Sequence, residues 1–334
     1  MDQEEVRQRL SLMEISGVCS LRVKGGAIIS EAFGFADRPR GIRNSVETRF
    51  GTASIAKGFT AVAILQLVER GMIALTSRVA AILPGYFPRM DSDVTILHLL
   101  THTSGFEDYC DEEQDTAYDA SWNLVLTEPK AYLPLLVDKG MEYAPGARFK
   151  YNNGAFVVLS LIIEAVFGSG FHDYVREHVL KPAGMNESGY YRLDSLPPNT
   201  AIGYTANERG QTISNLGLVP IIGGGDGGIY TTVADLDRFW RALSRGILLS
   251  PATVSAVWTP QVYSGNGQLH YGLGFWVMDS GDSARHIFLM GGDRGVSCRS
   301  LYYPERQATI GVLLNHEASA RPAYKLLEEC LLNS

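Results

Sequence analysis

A serine and a lysine, Ser54 and Lys57, stand three residues apart before an almost uniformly apolar segment, 58–70. Residues three apart share a helix face, so the two side chains are expected to lie side by side. A serine hydroxyl is a poor nucleophile at neutral pH and needs a base within hydrogen-bond reach. A lysine provides that base when burial or a neighbouring positive charge favours its neutral form. The pair therefore predicts nucleophilic catalysis by Ser54, with Lys57 as the base.

A second group of polar residues, Tyr151, Asn152 and Asn153, precedes another apolar segment. A tyrosine beside a lysine cation can be held near ionisation and carry the serine proton, and an asparagine amide can orient Lys57 and bind a substrate amide. Alone, the triplet would be typical of a loop tyrosine followed by a helix N-cap. Beside Ser54 and Lys57, it predicts a catalytic Tyr151 and an Asn153 that contacts both Lys57 and substrate.

Two adjacent glycines, Gly291 and Gly292, lie between two strand-like segments, shortly after Leu289. Glycine lets a ligand approach the backbone closely. The N–H of Gly292 can pair with that of Ser54 as an oxyanion hole, which stabilises the negative charge that develops during acyl transfer. Without the other motifs, the same residues would indicate a plain glycine turn.

Three other patterns in the sequence are weaker candidates for a functional site. His98 and His102 are four residues apart and can share a helix face, but no third ligand is evident, so no metal is predicted. The acidic stretch 107–115 lacks the spacing of a calcium loop, and we interpret it as a solvated loop. The glycine-dense segment 223–228 lacks the lysine of a phosphate loop and the order of a dinucleotide fingerprint. It is expected to be a close-approach loop near the active site, in which Asp226 can contact substrate.

Helices and strands are predicted around these residues. The segment after Ser54 ends at Arg70 and Gly71, which is typical of a helix with a glycine at its C-terminus. A two-glycine turn, 24–26, predicts a hairpin. Its strands and the other expected strands are 18–23, 27–32, 271–278, 284–289, 296–303 and 307–314. Further helices are expected at 94–102, 129–139, 152–167, 171–180, 232–245 and 318–332.

The order of these elements predicts an α/β (α+β) fold. Strands and a helix come first, helices follow, and strands and a helix return. This order indicates an antiparallel sheet flanked by the N- and C-terminal helices, with an inserted all-helical domain. We place the sheet domain at 1–80 and 200–334 and the helical insert at 81–199, with the active site at their interface.

The composition is that of an ordinary globular protein. The chain has 334 residues, of which 46% are hydrophobic and 19% charged, and its net charge is −7. No basic block is present, so nucleic acid is not expected as a partner. No segment approaches the length needed to span a bilayer, and the charged N-terminus has no apolar core of a secretory signal. We therefore expect a cytoplasmic protein without a membrane partner, and the oligomeric state is not predicted.

In order and spacing, the three motifs resemble those of the serine β-lactamase and penicillin-binding protein superfamily. More narrowly, the chain resembles the branch that contains class C β-lactamases, D,D-peptidases of the same fold and β-lactamase-fold esterases. The resemblance covers nearly the whole chain. The supporting segments outside the catalytic motifs are 49–71, 99–105, 227–239 and 271–275.

The resemblance implies a role for each motif residue. Ser54 would be the nucleophile that forms an acyl-enzyme, and Lys57 and Tyr151 would activate it and return the proton to the leaving group. Asn153 would position Lys57 and substrate, and the amides of Ser54 and Gly292 would hold the oxyanion. No metal and no cofactor is implied. The expected partner is a small-molecule acyl substrate.

The third motif departs from the family pattern. It usually begins with lysine, histidine or, in some esterases, an aromatic residue, and matching the glycines places Leu289 there. A cation would hold the carboxylate of a β-lactam or peptide and tune the tyrosine, and leucine can do neither. His286 or Arg294 can take its place in space, and the sequence leaves both open.

The missing cation and the missing signal favour a neutral acyl substrate that Leu289 can contact. We therefore predict a serine hydrolase that acts on esters or small amides. A weak β-lactamase or D,D-peptidase is the alternative within the same class. A penicillin-binding or sensor module that acylates without turnover is the alternative of another class.

Overall fold

The computed structural model of the protein describes residues 3–110, 119–278 and 285–333. Its strands are β1 Gly17–Val23, β2 Gly26–Phe33, β3 Phe35–Asp37, β4 Ile42–Arg43, β5 Phe50–Gly51, β6 Tyr204–Ala206, β7 Thr212–Ser214, β8 Tyr230–Thr231, β9 Val262–Asn266, β10 Leu269–Tyr271, β11 Trp276–Met278, β12 His286–Asp293, β13 Val296–Tyr303 and β14 Ala308–Leu314. Its α-helices are α1 Gln3–Ser11, α2 Ala56–Glu69, α3 Val79–Ile82, α4 Ile96–Leu100, α5 Leu133–Leu136, α6 Asn153–Phe167, α7 Phe171–Val175, α8 Lys181–Ala183, α9 Val233–Ser244, α10 Pro251–Val257 and α11 Arg321–Asn333.

One antiparallel sheet of eight strands organises these elements, in the order β2-β1-β14-β13-β12-β11-β10-β9. Strand β1 pairs with β14, so Gly17 lies opposite Leu314 and Val23 lies opposite Ala308. The first and last strands of the chain therefore pair with each other, as the second and third strands from one edge of the sheet. Of the strand expected at 284–289, residue 284 lies outside the described residues.

Helices cover both faces of this sheet. The terminal helices α1 and α11 lie on one face, where Val6 and Leu326 share an apolar cluster with Leu21 of β1. On the other face, α2 and α9 belong to a larger apolar cluster that includes Val18 of the same strand. Neighbouring strand residues point to opposite faces, which explains why β1 contributes to both clusters. The predicted fold class, an antiparallel sheet flanked by the terminal helices, is confirmed.

The local turn signals are also confirmed. Lys24 and Gly25 have φ values of 51° and 84°, as a tight two-residue hairpin turn requires. Gly71 and Gly168 follow the ends of α2 and α6 with φ values of 68° and 81°, the left-handed conformation in which helices commonly terminate.

Two predicted elements are interrupted. The strand expected at 271–278 is a hairpin, because β10 pairs antiparallel with β11 through a turn closed by the N–H of Gly272 donating to the carbonyl of Phe275. Gly274 in this turn has a φ of 86°, and an added Cβ there would lie 2.2 Å from Cβ of Ala61 in α2. The helix expected at 129–139 is a 3-10 turn, Pro129–Tyr132, followed by the short α5. Prolines at 129 and 134 lack the N–H that a continuous helix would use at those positions.

The helices between the first and last parts of the sheet surround α2 and α6, which pack against each other. Within the described residues, 81–199 contributes no strand to the eight-stranded sheet. The division into a sheet domain and a helical insert stays a prediction. In the described part of the chain, no single helix is long and apolar enough to cross a membrane, although α6 and the bent segment after it, 171–183, pass that test together with an angle of 82° between them.

Candidate active site

Ser54 is held at the start of α2 by a turn with an unusual backbone. The preceding residue, Ala53, has a φ of 45°, in the left-handed region that residues with a side chain rarely adopt. Ala53–Ile55 form a 3-10 turn that leads directly into the helix. The carbonyl of Ala53 accepts a hydrogen bond from the N–H of Gly228 at 3.2 Å, which fixes the turn to the glycine-dense segment. Ser54 is half-buried and lines a cleft.

The Lys57 side chain is 1% exposed and lies at the centre of a group of polar atoms. Its Nζ is 3.0 Å from Oγ of Ser54. The same nitrogen is 2.8 Å from Oδ1 of Asn153 and 2.7 Å from the backbone carbonyl oxygen of Asp226. The structure therefore brings the predicted nucleophile, base and asparagine within hydrogen-bond distance of one nitrogen.

These three oxygens can accept the three N–H groups of a protonated lysine, and they also suit the neutral amine that must act as the base. A neutral amine has two N–H donors and one lone pair. The oxygens of Asn153 and Asp226 can only accept, so they take the two donors, and the lone pair is then left for the hydroxyl of Ser54. The orientation of the Asn153 amide is fixed independently, because its Nδ2 donates to the carbonyl of Cys110 at 3.2 Å. In that neutral form, Lys57 can accept the serine proton.

Asp226 takes part in the site through its backbone as well as its side chain. Its carbonyl accepts from Lys57, while its carboxylate lines the cleft and accepts from the hydroxyl of Tyr109 at 2.5 Å. The surrounding glycines allow the loop to pass close to other backbone. An added Cβ at Gly225 would lie 2.4 Å from the carbonyl oxygen of Phe156 in α6. Sequence reasoning placed this loop near the active site but missed the backbone contact with Lys57.

The Tyr151 ring lies beside the lysine. Nζ of Lys57 is 4.8 Å from the centroid of the Tyr151 ring. The ring is also 4.5 Å, between centroids, from the imidazole of His102 and is stacked on Trp276 at 6.3 Å. The structure thus places Tyr151 in contact with the base through its π face, and its role as a proton carrier stays a prediction.

His102 lies behind the site, against the ring of Tyr151. Its side chain is fully buried, and burial, together with the charge of Lys57, lowers its pKa well below the usual value. The imidazole is therefore neutral, and its Nδ1 accepts a hydrogen bond from the N–H of Asn152 at 3.1 Å. His98 instead uses its Nδ1 to cap helix α4 at Thr95. Within the described residues, no group of histidine, cysteine and carboxylate side chains could hold a metal ion.

Strand β12 passes beside the nucleophile at Gly291. An added Cβ at Gly291 would lie 2.0 Å from the carbonyl oxygen of Thr52 and 3.1 Å from the backbone nitrogen of Ser54. A larger residue would push the strand away from the nucleophile. The next residue, Gly292, lines the cleft, and an added Cβ there would meet nothing within 4 Å. Gly291 therefore allows close packing, whereas the N–H of Gly292 stays the predicted oxyanion donor.

Leu289 lies in the core, and the expectation that it contacts substrate is corrected. Its side chain is 2% exposed and is not part of the cleft wall. It fills the space beside Gly58, where an added Cβ would be 2.5 Å from Cδ1 of Leu289. Because strand side chains alternate, Leu289 shares with Gly291 the face that packs on α2. Its apolar character at this position is therefore explained by packing.

The two candidates for the missing cation, His286 and Arg294, lie in different places in the structure. His286 is three residues from Leu289 and therefore lies on the opposite face of β12, where its ring is 4.9 Å from that of Tyr303. Arg294 lines the same cleft as Ser54, and its guanidinium is 3.9 Å from Oε1 of Glu317. Arg294 is thus the candidate that can face a substrate.

The cleft has a volume of about 1150 Å³, which is large enough for a drug-sized molecule. It carries both signs of charge and several aromatic side chains. The charged residues in its wall are Glu208, Arg209, Asp226, Asp293, Arg294 and Glu317. The aromatic residues in its wall are Tyr109, Tyr132, Tyr191 and Tyr230.

Asp108 is a buried residue that sequence reasoning assigned wrongly. It belongs to the acidic stretch 107–115, which was interpreted as a solvated loop, yet it is only 5% exposed. Its carboxylate accepts hydrogen bonds from the N–H groups of Asn153 and Gly154 at the start of α6. A run of charges along the chain gave no signal that one of them turns inward. Of this stretch, residues 111–115 lie outside the described part of the chain.

A buried lysine hydrogen-bonded to a serine at the start of a central helix, beside an antiparallel sheet, defines a serine hydrolase of the β-lactamase fold. A comparison with protein-family models supports this assignment. A family model described as Beta-lactamase matches residues 10–329. The chain belongs to the beta-lactamase family.

The individual proteins to which the chain is similar include penicillin-binding proteins and an esterase. The chain is 29% identical over 312 residues to Penicillin-binding protein 4* of Bacillus subtilis (strain 168), which covers 89% of the chain and 67% of that protein. It is 31% identical over 207 residues to Esterase EstB of Burkholderia gladioli, covering 59% of the chain and 52% of that protein. A crystal structure of a penicillin binding protein from Bacillus halodurans matches with a TM-score of 0.90 and 37% identity, covering 97% of this chain and 99% of that one. The chain thus spans between half and two thirds of the length of these two curated relatives.

Proposed function

We propose that this protein hydrolyses esters or small amides with a neutral acyl group through an acyl-enzyme on Ser54. The observation that carries the proposal is the 3.0 Å distance between Nζ of Lys57 and Oγ of Ser54, at a lysine that is 1% exposed. Burying an amine is costly unless its hydrogen bonds are satisfied, and here its three partners include the serine hydroxyl. This geometry suits proton transfer from the serine.

In the proposed reaction, Oγ of Ser54 forms a bond to the substrate carbonyl carbon while its proton moves to Nζ of Lys57. The carbonyl oxygen gains the electron pair and is held by the N–H groups of Ser54 and Gly292. Collapse of this intermediate breaks the bond to the leaving group, which takes the proton from Lys57, directly or through Tyr151. A water molecule then repeats the same steps on the acyl-enzyme, releasing the acid and restoring Ser54.

Two observations favour a neutral acyl group. Leu289 stands where the family pattern has a cation, so this position supplies no charge that could hold a carboxylate. A relative over 59% of the chain is named as an esterase. The cleft volume of about 1150 Å³ leaves room for leaving groups of different sizes.

The test uses p-nitrophenyl butyrate as a neutral ester and a fluorophosphonate as a covalent probe of Ser54. We expect turnover of the ester by the unaltered protein and its loss in Ser54→Ala, with a single phosphonyl adduct on the Ser54 peptide by mass spectrometry. Ser255→Ala, at an exposed serine of α10, is the matched control and should keep full activity. No turnover and no adduct at Ser54 would refute the proposal.

Arg294 supports a second candidate, a weak β-lactamase or D,D-peptidase. Arg294 and Arg209 both line the cleft, so the carboxylate of a β-lactam has positively charged side chains available in its wall. A chromogenic β-lactam separates the alternatives. Steady hydrolysis that exceeds turnover of the ester would favour this candidate. One stoichiometric burst without turnover on either substrate would favour a penicillin-binding or sensor module.

A further inference from the structure

Asp108 is a buried carboxylate that the reaction described above does not use. It lies in the loop that follows α4 and is 5% exposed, among residues that reach the cleft on one side and α6 on the other. A carboxylate in such a position is destabilising unless its oxygens are hydrogen-bonded. Its hydrogen bonds therefore indicate what it does.

Both carboxylate oxygens of Asp108 bind the start of α6. Oδ2 accepts from the N–H of Asn153 at 2.6 Å, and Oδ1 accepts from the N–H of Gly154 at 2.8 Å. The first N–H groups of a helix have no partner within the helix, and the helix dipole favours a negative charge beside them. Asp108 thus fixes the backbone of the helix end that carries Asn153.

The loop of Asp108 also holds the Asn153 side chain. Nδ2 of Asn153 donates to the carbonyl of Cys110 at 3.2 Å, and the N–H of Cys110 is 3.4 Å from Oδ1 of Asp108. Asn153 is therefore held at its backbone N–H and at its side-chain Nδ2, and Oδ1 of the same side chain accepts from Lys57 at 2.8 Å. A chain of hydrogen bonds connects Asp108 to the base through a single residue.

The charge of Asp108 acts in the same direction. Burial raises the pKa of Asp108 to about 6, against the opposing effects of the N–H groups and of Lys57. Lys57 is the charged side chain whose positive charge opposes this rise in the pKa of Asp108. In return, the anion of Asp108 stabilises the ammonium that forms when a neutral Lys57 takes the serine proton. Above about pH 6, Asp108 can therefore both orient the base and stabilise its protonated product.

We infer that Asp108 is a positioning residue for the acylation of Ser54, acting through Asn153 on Lys57. The inference rests on the proposed function, because it assigns Asp108 a part in that reaction. Asp108 does not touch substrate in this scheme. It determines where the amide oxygen of Asn153 lies and hence where the lone pair of Lys57 points.

The test is Asp108→Asn, which keeps the shape but places an NH₂ group where one acceptor oxygen was. The matched control is Asp91→Asn, because Asp91 also accepts a backbone N–H, that of Asp93 at 2.8 Å, but does so at the exposed surface. The rate of Ser54 labelling by the fluorophosphonate, and kcat and KM for p-nitrophenyl butyrate, are measured from about pH 5 to about pH 9. Thermal unfolding checks that each variant is folded.

We expect Asp108→Asn to label Ser54 more slowly and to lower kcat, each by a factor on the order of 10 to 100, with KM changed far less. The decline of the labelling rate below about pH 6 in the unaltered protein should shift or vanish in this variant. Asp91→Asn should behave as the unaltered protein does. A purely structural role would instead lower the unfolding temperature and leave the pH profile unchanged.

The possible failures are distinguishable. A folded Asp108→Asn protein that labels at the normal rate with the normal pH profile overturns the inference and leaves the proposed function intact. If the variant does not fold, the unaltered protein decides, because a labelling rate that stays constant down to about pH 5 also overturns the inference. Absence of labelling and turnover in the unaltered protein overturns the proposed function and the inference with it.

Discussion

Leu289 occupies the space that a side chain at Gly58 would need. An added Cβ at Gly58 would lie 2.5 Å from Cδ1 and 2.9 Å from Cδ2 of Leu289. Gly58 directly follows Lys57, and Leu289 is two residues before Gly291, whose strand passes beside the nucleophile. This single contact therefore sets how closely the helix that carries the base approaches the strand that carries the predicted oxyanion donor.

Gly58→Ala is predicted to change stability with a sign that depends on Leu289. In the unaltered protein, overpacking by about 1–3 kcal/mol should exceed the helix-propensity gain of alanine, about 1 kcal/mol, so the free energy of unfolding falls. In a Leu289→Ala background, the clash is absent and the methyl group added at position 58 fills part of the cavity left by the leucine. Gly58→Ala should therefore raise the free energy of unfolding in that background. Urea unfolding of the four proteins measures this coupling.

Gly170→Ala is the control for this cycle, because an added Cβ there meets nothing within 4 Å. Its effect should be the same with leucine or alanine at position 289. Equal effects of Gly58→Ala in the two backgrounds would show that the two residues do not set the spacing between α2 and β12.

Asn153→Asp is predicted to keep Lys57 protonated at neutral pH, so that less of the neutral base is present. It places a carboxylate oxygen where Oδ1 now lies, 2.8 Å from Nζ of Lys57, and a negative charge there favours the ammonium over the neutral amine. We expect kcat/KM for p-nitrophenyl butyrate to fall on the order of 100-fold at neutral pH and the activity maximum to move to higher pH. Asn266→Asp, at an exposed position of β9, should change neither. An unaltered pH profile in Asn153→Asp would contradict the role of Lys57 as base.

Asp108 should make the protein less stable as the pH rises. Its pKa is raised from 3.8 to about 6 on folding, so between these values the folded state binds more protons than the unfolded state, and stability declines. The penalty is absent below about pH 4, complete above about pH 6 and at most about 3 kcal/mol. The free energy of unfolding of Asp108→Asn, relative to the unaltered protein, should therefore increase between about pH 4 and about pH 7. A difference that is independent of pH in urea unfolding would contradict this.

Arg294→Ala separates charged from neutral substrates. If Arg294 holds a carboxylate in the cleft, its loss should slow acylation by a β-lactam by a factor on the order of 10 to 100, the range for a charge-assisted hydrogen bond. Turnover of p-nitrophenyl butyrate should be unchanged, because that ester carries no charge. Arg245→Ala, at the exposed end of α9, is the control. An equal loss on both substrates would mean that Arg294 supports the site rather than binds a carboxylate.

Much of the fold could be predicted from local signals. The hairpin at Lys24 and Gly25 and the ends of α2 and α6 depend on residues next to each other in the chain, for which glycine is the direct physical cause. The turn between β10 and β11 was missed, although the glycines at 272 and 274 are local signals for it.

The site was predictable where helical spacing determines the contact, as for Ser54 and Lys57. The backbone carbonyl of Asp226 was not, since every residue type has one and only the fold selects which lies at the lysine. The position of the His286 side chain could be assigned only once the extent of β12 was known. His286 is three residues from Leu289 on this strand, and residues an odd number apart point to opposite faces of the sheet. Asp108 was missed because charge alone does not distinguish a solvated carboxylate from one that binds a helix end.

The hydrogen bonds of Lys57 also determine when activity can emerge during folding. They join residues separated by 96 and 169 positions in the chain, so two very large loops must close before the amine has its partners. Contacts at such separations form late, because the entropy of closing the loops is lost before the contacts stabilise anything. During refolding, the far-UV circular dichroism of the helices should therefore return before ester turnover does. Turnover then marks the time at which the native topology is complete.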